Sequence, residues 1–85
     1  MSPTTATLYP NPAQSTVDIH LENADVTQPI TVRLFDGYGQ LRAEQTSASQ
    51  TMMRLRIAHL PAGLYFVHIL RGQEVISRQQ LEVTK

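Results

Sequence analysis

Apolar residues recur at every second position in this chain. Val17, Ile19 and Leu21 alternate with Asp18, His20 and Glu22. Ile30, Val32 and Leu34 alternate with Thr31 and Arg33, Met53, Leu55 and Ile57 with Arg54 and Arg56, and Tyr65, Val67 and Ile69 with Phe66 and His68. Period two puts successive side chains on opposite faces of a strand, so each segment has one face to bury. Helical spacing is sustained nowhere for three turns, which makes the chain all-β. Val17, Ile19, Val32, Leu34, Leu55, Ile57, Tyr65, Val67 and Ile69 form the expected core.

Turn residues divide these runs. Pro10 holds Tyr9 extended and Pro12 lacks a donor, so Tyr9-Pro10-Asn11-Pro12 breaks the first strand from the second. Asp36-Gly37-Tyr38-Gly39 offers glycines for positive φ, with Asp36 capping the turn through its own backbone. Leu60-Pro61-Ala62-Gly63 reads as a type I turn with Pro61 second and Gly63 fourth, and Arg71-Gly72-Gln73 as a tight connection. Thr46 to Thr51 reads as a loop. The outcome is about seven short strands, near 6–9, 15–22, 29–36, 40–46, 51–57, 64–71 and 74–83, spaced as in a sandwich or barrel with antiparallel neighbours. In the last of these, Val75, Leu81 and Val83 share a parity with Ser77 and Gln79, while Ile76 has the other. Either a bulge changes the face or the strand is an edge with a weak middle. Both readings leave it open to other chains, including a second copy pairing through Val75 to Val83.

With 85 residues and zero formal net charge, there is room for one domain, and bulk charge draws it neither to nucleic acid nor to anionic lipid. The absence of Cys excludes disulfides and thiolate metal sites. Met1 to Leu8 carries neither the basic region nor the apolar core of a signal peptide. His20, His59 and His68 do not cluster at ligand spacing, the carboxylates are dispersed, and no Ser sits in a nucleophile elbow. Neither a catalytic residue, a metal ligand nor a cofactor is therefore expected. Phe35, Phe66 and Met52 lie at outward parity, as scattered surface residues or as a recognition patch.

Three segments, in order, resemble the C-terminal sorting domains of type IX secretion. They are Leu8-Tyr9-Pro10-Asn11-Pro12-Ala13, the stretch Ile30 to Leu41 with Phe35-Asp36 and Gly39, and Leu60-Pro61-Ala62-Gly63-Leu64-Tyr65-Phe66-Val67. The resemblance implies an immunoglobulin-like β-sandwich of about seven antiparallel strands over 8–85, with 1–7 as a linker or leader. It also implies a secretion signal that carries an attached passenger through the periplasm to the surface of a Bacteroidetes-type cell, or out of it. The implied partners are an outer-membrane translocon, its shuttle proteins and a sortase-like cysteine protease. The implied sorting residues lie in the last strand: Val75, Arg78, Leu81, Val83 and Lys85. Here Arg78 is followed by Gln79 and Gln80, where the family often has adjacent basic residues. The competing reading is an immunoglobulin-like accessory module that binds protein or carbohydrate, although a chain without Trp offers little aromatic platform.

Overall fold

A computed structural model describes residues 5–22, 28–48 and 51–85. Its strands are β1 (Thr5–Tyr9), β2 (Thr16–Glu22), β3 (Ile30–Phe35), β4 (Leu41–Ser47), β5 (Met52–Arg56), β6 (Gly63–Arg71) and β7 (Glu74–Val83). They form two antiparallel sheets, one of order β1-β2-β5 and one of order β4-β3-β6-β7. The fold is an immunoglobulin-like β-sandwich, as expected. β1 begins at Thr5, so Thr5 to Thr7 are part of a strand; Met1 to Thr4 of the expected leader lie outside the described residues.

Alternation does what elementary geometry requires of it. Every residue of the expected core is buried, and the inward faces of β2 and β5 meet those of β3 and β6. Such burial contributes about 1.5–3 kcal/mol per large aliphatic side chain. Tyr65 adds a polar latch: its ring is buried, and its hydroxyl donates to the Pro61 carbonyl at 2.6 Å.

The turns follow their residues with one correction. Asp36 Oδ1 accepts from the amides of Tyr38 at 2.9 Å and Gln40 at 3.0 Å, and Gly39 takes a φ of 83°. At the later turn, the closing bond runs from the Leu60 amide to the Ile57 carbonyl at 3.0 Å, so the hydrogen-bonded turn spans Ile57 to Leu60 rather than Leu60 to Gly63. Ile57 and Leu60 are both buried, and this turn delivers both to the core. The expected loop at Thr46 to Thr51 is also shorter, because β4 runs on to Ser47 through a bond between the hydroxyls of Thr31 and Thr46 at 2.9 Å. Ser49 and Gln50 of that loop lie outside the described residues.

Candidate recognition surface

β7 is an edge strand and also carries a bulge, so both sequence readings of it hold at once. Ile69 pairs with Ser77 and Leu70 with Val75, which leaves Ile76 as the extra residue. The bulge resets the parity. Ile76 packs against the core cluster, while Leu81 and Val83 lie fully inside it. Of the expected sorting residues, Leu81 and Val83 therefore face the core, Val75 is half-buried against Leu70, and Arg78 is exposed opposite His68. Lys85 donates from Nζ to the Ala58 carbonyl at 2.8 Å. The side chains that β7 shows to solvent are those of Glu74 at its start and of Arg78, Gln80 and Glu82 beyond the bulge.

In an antiparallel ladder, a residue's N–H and C=O point to the same side. The outward backbone groups of β7 near its C-terminus belong to Gln80, Glu82 and Thr84, and the segment between β1 and β2 covers them. Asn11 Nδ2 donates to the Gln80 carbonyl, and the Glu82 amide donates to Asn11 Oδ1, each at 3.1 Å. The Ala13 amide then donates to the Glu82 carbonyl, and the Thr84 amide to the Ala13 carbonyl, each at 2.8 Å. Pro12 has no N–H to offer, so the carboxamide of Asn11 supplies the donor and acceptor that a neighbouring strand would. Ala13 is wholly buried beneath, in a parallel bridge to Val83. Further along, Gln79 Nε2 donates to the Ala6 carbonyl on β1 and ties the edges of the two sheets together. Tyr9, Pro10 and Pro12 stay exposed around this clip.

The structure thus joins two stretches that sequence reading treated separately, the entry motif and the last strand. The clue in the sequence was a donor-poor Pro-Asn-Pro run with one carboxamide in it; its partner, 69 residues away, was not legible. The remaining motif residues are structural. Asp36 and Gly39 build a turn, Leu60 is buried, and Pro61 anchors Tyr65 ahead of Gly63.

The charges are largely matched. Arg33 Nε meets Glu44 Oε2 at 2.6 Å, Arg42 meets Asp36 at 3.7 Å, and Arg71 meets Glu74 at 3.1 Å. On the other sheet, Arg54 donates to Asp18 at 2.8 Å, which holds the Asp18 carboxyl below its ordinary pKa and raises that of Arg54. Among the described residues, no group of three or more His, Cys, Asp or Glu is placed to hold a metal ion. His20 and His59 are exposed at separate places, and His68 packs against Phe35 with the rings tilted by 53° and their centroids 4.9 Å apart.

A two-sheet sandwich with its last strand clipped at an edge by the segment after β1 is a small domain of the immunoglobulin-like class. The particular family follows from comparison: the model of the secretion system C-terminal sorting domain matches residues 7–82, and the chain belongs to that family. No curated protein matches it. The chain is a type IX sorting signal, which directs an attached passenger to the cell surface or out of the cell.

Proposed function

We propose that the domain is read as a folded unit, without catalysis of its own, and that β7 supplies the address. One observation carries this reading. β7 is held in place from both sides, by its buried Leu81 and Val83 and by the Asn11 clip, yet it turns Arg78, Gln80 and Glu82 outward as a fixed row. In this reading the passenger passes through the periplasm, and the translocon and its shuttle proteins engage that row. A sortase-like cysteine protease acts on the chain ahead of the folded core, which opens with β1 at Thr5. Val75 to Val83 is also the edge along which a second copy would pair. The clip occupies that edge from Gln80 onward, which leaves the stretch up to Arg78 for pairing.

The test fuses a passenger upstream of Met1 in a bacterium with an intact type IX system. The whole domain brings the passenger to the surface, and a passenger without it stays in the cell. Gln80→Lys with Glu82→Lys reduces delivery with the melting temperature unchanged. Delivery that simply follows the melting temperature across variants, Leu81→Ser included, would show that β7 is needed for folding only. Light scattering that finds only monomer over a wide concentration range would remove the paired form.

A further inference from the structure

We infer that the outer face of the four-stranded sheet, centred on Phe35, Phe66, His68 and Arg78, is where the export machinery grips the domain, and that it fits a protein segment bearing an apolar side chain beside a carboxylate. This rests on the sorting reading above and goes further, because it adds β3 and β6 to the surface and gives the partner a chemistry.

The chain has two Phe residues, and the core uses neither. Register places them side by side, Phe35 opposite Phe66, with Gln80 next in the row; the adjoining row is Arg33, His68 and Arg78. Phe35, Phe66 and His68 are each only partly covered. Phe35, Asp36, Phe66 and His68, with Gly37 and Gly39, line a shallow hollow of about 370 Å³, in which Asp36 is already engaged by Arg42 and by its own turn. The hollow continues across Phe66 and His68 into a second, of about 280 Å³, bounded by Arg78 and Gln80. Two adjacent aromatic rings beside a cation make a patch that water covers poorly and that a partner's apolar anchor would cover well.

Charge indicates the other half of the partner. On this sheet Arg33, Arg42 and Arg71 each have an acid within 4 Å. Arg78 has none among the described residues, and it borders the second hollow. Of the two exposed acids on its strand, Glu74 is taken by Arg71, and Glu82 lies opposite Leu64, beyond both hollows. A carboxylate arriving next to Arg78 would complete the row as Glu44 does for Arg33. Among the described residues, the outer face of the other sheet offers no comparable patch: its exposed large apolar residues, Tyr9 and Met52, stand on β1 and β5 with β2 between them, and Asp18 is already matched to Arg54.

The same fusion assay tests this with substitutions that leave the core alone. Phe35→Thr with Phe66→Thr, and separately Arg78→Glu, lower the ratio of surface to cell-retained passenger by about ten-fold, while Arg78→Lys and the opposite-face control Met52→Thr do not. Arg78 is exposed, so Arg78→Glu decides the matter even where the double Phe variant melts earlier. Export of Arg78→Glu at the unsubstituted level overturns the inference and removes Arg78 from the β7 row, while the sorting role and the part of the row at Gln80 and Glu82 stand; an unsubstituted fusion that never reaches the surface strikes at the sorting role instead. Self-association of the purified domain that Arg78→Glu abolishes would show the face to be taken by a second copy, and would overturn the assignment to the export machinery.

Discussion

β4 and β7 are the two outer strands of one sheet, and each carries a single-residue bulge, at Arg42 and at Ile76. Beyond that they differ. β4 is exposed along almost its whole length, gives the core only the small Ala43, and is tied down by its ladder to β3 and by surface pairs such as Arg33 with Glu44. β7 buries Leu81 and Val83, and its open backbone groups are taken up by a segment from the other end of the chain. A bare edge invites pairing with other chains, and natural sheets blunt it with bulges and charge or by covering it. β4 uses bulge and charge, and β7 uses bulge and cover. The difference shows that, of these two edges, the one expected to be loose is the more firmly held, so what β7 leaves open toward its C-terminus is its outward side chains rather than a free ladder.

The sharpest way to break this comparison is to cut the core contact of β7. Leu81→Ala should cost about 2–5 kcal/mol in urea unfolding, as buried Leu truncations do. Its counterpart on β4, Gln45→Ala, should stay within about 0.5 kcal/mol, as for an exposed site. Equal costs at the two positions would abolish the distinction.

Removing the cover comes next. Asn11→Ala deletes two hydrogen bonds to β7 and should cost about 1–2 kcal/mol. Its signature is local: amide exchange should quicken at Glu82 and Thr84, which donate to the clip, and stay unchanged along β3 and β4. Exchange that rises evenly through the sheet would mean that Asn11 acts on overall stability and not on this edge.

A smaller effect is expected on the charged side. Glu44→Gln removes an exposed pair on the β4 edge and should change stability by less than about 1 kcal/mol, and less still at high salt, because both partners face water.

The slightest effect belongs to β5, one of the two edge strands of the other sheet, which is tied to β2 through Asp18 and Arg54. The Asp18 carboxyl is lowered in the folded state, so its contribution is present above the ordinary aspartate pKa and is lost as pH falls through the lower folded value. An acid titration should therefore show a slightly shallower loss of stability for Asp18→Asn than for the parent chain. An identical profile would mean that the pair contributes nothing.

Period two by itself determined the strands, their inward faces and hence the core. Val17, Ile19, Val32, Leu34, Tyr65, Val67 and Ile69 could be assigned because an alternating strand in water has only one way to hide its apolar half. Turn chemistry was legible at Asp36, whose short carboxylate reaches its own backbone, and less so at Leu60, where burial of Ile57 moved the closing bond. The family could be read from motifs in order. What only the tertiary structure decided is which residues of the last strand face solvent, and what lies beside them. A bulge at Ile76 depends on how β6 and β7 register, the cover on Gln80 and Glu82 comes from Asn11 across the fold, and Phe35 reaches Phe66 and Arg78's row only once β3, β6 and β7 are aligned. Each of these is a contact between segments far apart in the chain. Local sequence sets which side chains a strand shows; pairing, bought with loop-closure entropy and core burial, sets what lies beside them.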